Sequence, residues 1–113
     1  TLSNARPPMS ASCRFELLLP LRFNDGTTVP KALLAGAVME IERHFGAASW
    51  ESQIIEGIWH QGGVKFRDQL NRIFVETEDT LENRGFFMDL KQRLKTQFGQ
   101  LDIWLTVHPI EVL

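Results

Sequence analysis

Phe98-Gly99-Gln100-Leu101-Asp102-Ile103-Trp104-Leu105-Thr106-Val107-His108 is the stretch that decides the fold. A helix stops at its glycine, and a strand follows almost at once. Leu101, Ile103, Leu105 and Val107 face one way, and Asp102, Trp104, Thr106 and His108 the other. That period of two belongs to a strand with one buried face. Upstream, Phe87, Leu90, Leu94 and Phe98 recur at helical spacing. Thr80 or Asp79 caps this helix, with Glu82 in its first turn. Lys91, Arg93 and Lys95 lie in its second half, where the helix dipole favours cations.

The same unit occurs earlier in the chain. Leu34, Ala37, Val38, Ile41 and Phe45 form one apolar stripe that begins near Pro30 and stops at Gly46. Ala47 to Glu51 reads as a loop, and Gln53 to Gln61 as a tryptophan-bearing strand. Ahead of that helix, Phe15, Leu17 and Leu19 alternate with Arg14, Glu16 and Leu18, a strand that Pro20 ends. Asn24-Asp25-Gly26-Thr27 is turn chemistry. Asn71 to Thr77 is the remaining strand, with Ile73 and Val75 on one face and Arg72, Phe74 and Glu76 on the other. Gly62 to Gln69 reads as the extended end of a hairpin, with a bulge or turn at the glycine pair.

The element order is therefore βαββαβ. Right-handed crossovers leave one common solution, the α+β ferredoxin-like arrangement. It is an antiparallel sheet in spatial order 4-1-3-2 with both helices on one face. The strands starting at Arg14 and Asn71 are central, and those starting at Gln53 and Leu101 are edges. The helix-covered face carries Phe15, Leu17, Leu19, Ile73, Val75, Ile103, Leu105 and Val107. The open face carries Glu16, Leu18, Arg72, Phe74, Glu76, Trp104, Thr106 and His108. The facing of the second strand stays ambiguous, and Trp59 joins the open face in one of its two settings.

Composition bounds the function. The chain has 113 residues, 43% of them hydrophobic and 23% charged, with a formal net charge of −2. Residues 1–11 are polar and proline-bearing, and Ser3-Asn4-Ala5 reads as a tag remnant ahead of a domain spanning 12–113. A mildly acidic total argues against a general nucleic-acid binder, which needs clustered cations. Cys13 is the single cysteine, so neither an internal disulfide nor a thiolate metal cluster is expected, and the chain reads as cytoplasmic. No apolar run reaches the roughly 18 residues that span a bilayer, so no membrane partner is expected.

No motif names a reaction. His44, His60 and His108 lack metal-ligand spacing, so no metal and no cofactor is expected. Gly63-Val64-Lys65-Phe66-Arg67 is similar to the phosphate loop of acylphosphatases but follows the second strand, where that family has it after the first. Arg22, Thr27 and Thr28 precede a helix N-terminus that can hold an anion, although a turn and cap are the simpler reading. The acidic run Glu76, Glu78, Asp79 and Glu82 fits dipole complementation at the second helix.

The open face is the functional signal, being too apolar for solvent and too charged for a second core. Three uses suit it: packing against another subunit, a small-molecule site, or base stacking. Coverage by the C-terminal tail or the long hairpin is the alternative within one chain. The expected role is a non-enzymatic module that self-associates as a homo-oligomer, simplest as a homodimer. The alternative is a small-molecule-binding domain or dimeric-barrel-type enzyme. Its site would be lined by Trp59, Arg72, Phe74, Trp104 and His108.

The C-terminal half also resembles a family of small, functionally uncharacterised bacterial proteins. The resemblance rests on Glu82-Asn83-Arg84-Gly85-Phe86-Phe87, Leu90 to Lys95, Ile103-Trp104 and Pro109-Ile110-Glu111-Val112-Leu113. The Gly57–Trp59 strand and Arg72-Ile73-Phe74-Val75 fit the same pattern, so it spans roughly residues 54–113. It implies no activity. It implies that Trp104 and the closing Pro-Ile-Glu-Val-Leu belong to the domain.

Overall fold

In the computed structural model, β1 (Ser12–Pro20), α1 (Lys31–Phe45), β2 (Ser49–Gln61), β3 (Val64–Glu78), α2 (Leu81–Gln97) and β4 (Trp104–Pro109) follow in that order. The structure describes residues 12–113, except the side chains of 52–57, 59, 61 and 64–68. The reading of 1–11 as a tag remnant lies outside the described residues. The four strands form one antiparallel sheet in the order β2-β3-β1-β4, which is 4-1-3-2 viewed from the other edge. The fold is ferredoxin-like, as the element order requires.

Sheet alternation builds the core. Phe15, Leu17, Leu19, Ile73, Val75 and Ile103 are buried under Leu34, Ala37 and Ile41 of α1 and Phe87, Leu90 and Leu94 of α2. Both helices thus lie on one face. Leu105 and Val107 pack at the margin of this cluster and stay partly exposed, as suits an edge strand. Phe87 stacks on Phe15 with centroids 4.4 Å apart and on Phe45 at 5.4 Å.

Helix ends follow the chemistry at their boundaries. Gly46 closes α1 at φ 80, a left-handed conformation that glycine adopts without a Cβ penalty. Thr80, not Asp79, caps α2: its side chain accepts a hydrogen bond from the Asn83 backbone N–H at 3.0 Å. Thr80→Ala should therefore cost about 1 kcal/mol. It should lower the melting midpoint by about 4 °C, while Thr80→Ser should hold it in a calorimetric scan.

Three boundaries differ from the sequence reading. β2 starts at Ser49, four residues before Gln53, so Trp50 and Glu51 are strand residues rather than loop. β3 starts at Val64 instead of Asn71. Gly62 and Gly63 both have positive φ, which lets two residues turn the chain directly from one long strand into the next. The irregularity in this hairpin is a register shift between Glu51 and Ile55, not at the glycine pair. β4 starts at Trp104, leaving Leu101 exposed ahead of it.

β1 stops pairing with β3 at Pro20↔Leu70. Beyond that point, Glu56 to Gln61 of β2 and Val64 to Gln69 of β3 pair with each other. Leu21 N–H still reaches the Gln69 carbonyl at 3.0 Å. The hairpin therefore runs past the sheet as a two-stranded arm, about 20 Å long at ~3.3 Å per residue.

Candidate functional site

The open face is built by register. Across β4, β1 and β3, one row holds His108, Arg14 and Glu76. The next holds Thr106, Glu16 and Phe74, extended by Ser49 of β2. A third holds Trp104, Leu18, Arg72 and Glu51. Strand alternation thus places Arg72, Phe74, Trp104 and His108 on one surface. The side chain of Trp59, the fifth expected site residue, lies outside the described residues.

Glu16 is the electrostatic centre. Its side chain is 16% exposed and lies between three nitrogen-bearing groups. Arg14 Nη1 is 3.7 Å from one carboxylate oxygen. Arg72 Nε and His108 Nε2 are 3.6 and 3.5 Å from the other. Each arginine also has an outer carboxylate: Arg14 reaches Glu76 at 3.5 Å, and Arg72 donates to both oxygens of Glu51 at 3.1 and 3.3 Å. Thr106 Oγ1 is 2.7 Å from His108 Nε2.

The apolar part interleaves with these charges. The Arg14 guanidinium lies 4.2 Å over the Phe74 ring, a cation–π contact that half-buries both. Leu18 is half-buried, and Trp104 at the margin is 64% exposed. The Nε atoms of Arg14 and Arg72 are out of reach of solvent and make no hydrogen bond. Both guanidiniums make their hydrogen bonds through their outer nitrogens, and Arg72 Nε faces Glu16 at ion-pair distance only.

Two members of this network are absent from the open face drawn from sequence. Arg14 shares the alternation of β1 with Glu16 and Leu18, and that pattern is the signal that finds it. Glu51 falls in the stretch that reads as loop, and no local signal marks it as strand because β2 carries its bulge just beyond.

Other candidate groups are satisfied locally. Arg22 donates to the Gly26 carbonyl at 3.2 Å, and Thr27 donates twice to Asp25, which lowers the Asp25 carboxyl below its ordinary range. That is a turn. Asp79 takes a two-pronged grip from Arg84 at 2.6 and 2.9 Å, which holds its carboxyl low. Cys13 is buried within β1, and that burial pushes its thiol up. His44, at the end of α1, stacks on Phe86 with centroids 4.0 Å apart. His60 and His108 lie on opposite edge strands. Among the described residues, no three His, Cys, Asp or Glu side chains are grouped to hold a metal ion. Among them, no helix is long and apolar enough to cross a membrane.

No family model and no curated protein matches the chain. Solved structures do. A phage SAM lyase in complex with S-methyl-5'-thioadenosine has a TM-score of 0.67 at 15% identity, covering 95% of this chain and 88% of its own. The divalent cation tolerance protein CutA1 from Thermus thermophilus has a TM-score of 0.61 at 16% identity, covering 90% and 86%. CutA1 from Oryza sativa has 0.57 at 14%, covering 93% and 84%. At such identities the likeness establishes the fold and nothing finer.

Proposed function

We propose that this protein is a cytoplasmic, non-enzymatic assembly module that binds further copies of itself through the open sheet face, as a homodimer in the simplest case. The observation that carries this reading is the internal pairing of the charges around Glu16. Arg14 and Arg72 each have carboxylate partners within the face. Covering such a face does not strand a lone guanidinium, whose burial costs far more than that of a paired one. The exposed Trp104 and half-buried Leu18 and Phe74 supply the apolar area that a partner would bury.

Among the described residues, the closing segment does not cover the face. Ile110 N–H bonds the Ser12 carbonyl at 3.2 Å, but Val112 and Leu113 are exposed and bury nothing against the face. The two-stranded arm adds support, because an isolated hairpin is marginal in water and gains from a neighbour. The sequence resemblance to small bacterial proteins is consistent with a module of this kind and assigns it no chemistry.

Light scattering at micromolar concentration should give a mass that is a multiple of 12.9 kDa. Trp104 is the largest exposed apolar side chain on the face, and a glutamate there puts a charge into the contact, at a cost of about 2 kcal/mol. Trp104→Glu should therefore weaken association about thirtyfold or more. A wild-type mass equal to one chain sinks the proposal.

A second reading keeps the same face but gives it a small molecule, held by Trp59, Arg72, Phe74, Trp104 and His108. Its support is the structurally similar phage lyase, which was solved holding S-methyl-5'-thioadenosine. Thermal-shift titration with that nucleoside should raise the melting midpoint if this reading holds. A flat response up to millimolar ligand removes it.

A further inference from the structure

The network around Glu16 contains one imidazole, that of His108. Histidine is the side chain that ordinarily gains or loses its charge between about pH 5 and pH 8. His108 Nε2 is 3.5 Å from Glu16 Oε2, the oxygen that Arg72 Nε approaches at 3.6 Å. We propose that His108 is a proton-operated fastener of self-assembly: when it is charged, the open face buries Glu16 against a second copy, and when it is neutral, that contact weakens. The inference rests on the self-assembly reading above.

The charges facing His108 set the direction. From β1 these are Arg14, directly opposite in register, and Glu16. Further across lie Arg72, Glu76 and Glu78 of β3, with Glu51 on β2. Four carboxylates against two guanidiniums leave these described groups two charges negative, and a charged His108 reduces that to one. Two copies meeting through this face bring the excess together twice. Like charges brought together in a partly dehydrated interface repel. Protonation also places a positive charge 3.5 Å from Glu16 Oε2 at the moment its remaining exposure is lost. Thr106 Oγ1, 2.7 Å from the same nitrogen, is its hydrogen-bond partner and fixes the ring edge beside Glu16.

The sign follows from linkage. If the assembled state favours the charged imidazole, the assembled state binds more protons. Association then tightens as pH falls through the histidine range. Each unit by which assembly raises the proton affinity corresponds to a tenfold change in association per copy.

Sedimentation velocity on the full chain at about pH 8, 7 and 6 tests this, because the carboxylates stay ionised across that range. The wild type should associate roughly tenfold more tightly at the acidic end. His108→Gln should lose most of that ratio. His44→Gln, on the helix side of the molecule, should keep it. A wild type that assembles with the same affinity at all three pH values overturns the fastener and leaves self-assembly standing. A pH ratio that survives in His108→Gln also overturns it. A wild type that stays a single chain at every pH removes the self-assembly reading itself, and the fastener with it.

Discussion

Phe87→Ala should cost the fold ~3–5 kcal/mol, the usual range for deleting a buried phenylalanine ring. Phe87 is 1% exposed and lies where three elements meet. Its ring stacks on Phe15 of β1 at 4.4 Å and on Phe45 of α1 at 5.4 Å, and Phe86 approaches it edge-on at 5.4 Å. No neighbour can close the gap easily, because the sheet is fixed by its ladder and α2 is capped at its start by Thr80. Total stabilities of small domains run about 5–15 kcal/mol, so the loss would take a large share of the whole. Urea unfolding should show the midpoint falling sharply with little change in slope, since the surface exposed on unfolding stays nearly the same. Phe87→Leu keeps most of the volume and should cost about 1.5 kcal/mol or less. If Phe87→Ala lost under ~1 kcal/mol, α2 would not pack over β1 as described.

The same residue explains why the fold is readable from the chain. Phe87, Leu90, Leu94 and Phe98 are spaced for one helix face, and all four are buried. Phe15, Leu17 and Leu19 alternate at period two, and all three are buried as well. Local period and tertiary burial agree at these positions, and that agreement makes a topology legible. Gly46 and Gly99 are legible for a different reason, because positive φ has one inexpensive occupant.

The hairpin is less legible. β2 carries Ile54, Ile55, Ile58 and Trp59 without a clean alternation, and a register shift separates Glu51 from Ile55. Four residues of β2 span what two residues of β3 span there, so the irregularity interrupts the local pattern even though odd-numbered β2 residues oppose even-numbered β3 residues on both sides of it. Glu51 is lost to the face for that reason. The four described site residues fall together because β1, β3 and β4 keep strict register there. Their mutual charge pairing is not legible. It depends on diagonal contacts across three strands, such as His108 to Glu16, which no sequence spacing encodes.

Glu16→Lys should be the most damaging single change on the open face. Glu16 is the carboxylate shared by Arg14, Arg72 and His108, at 3.7, 3.6 and 3.5 Å. A lysine there converts the attractions to Arg14 and Arg72, and to His108 when that ring is protonated, into repulsions on a surface that is only partly hydrated. Breaking a fully buried ion pair costs ~3–5 kcal/mol. Both arginines are about one-third exposed and keep their outer partners Glu76 and Glu51, so solvent screening reduces the expected loss to ~2–3 kcal/mol. Glu16→Gln removes the charge without reversing it and should cost about 1 kcal/mol. Because the Glu16→Lys deficit is electrostatic, it should shrink when ionic strength is raised, as the screening length falls from ~10 Å at 0.1 M to ~3 Å at 1 M salt. A packing defect would not respond in that way. Urea denaturation of the two variants at low and high salt separates these causes. A Glu16→Lys protein with wild-type stability at low salt would mean that the three neighbours do not act through this carboxylate, and the charge-paired face would lose its organising residue. If the lysine variant is also a single chain in solution while Glu16→Gln still self-associates, the sign of the charge at position 16 governs assembly as well as folding.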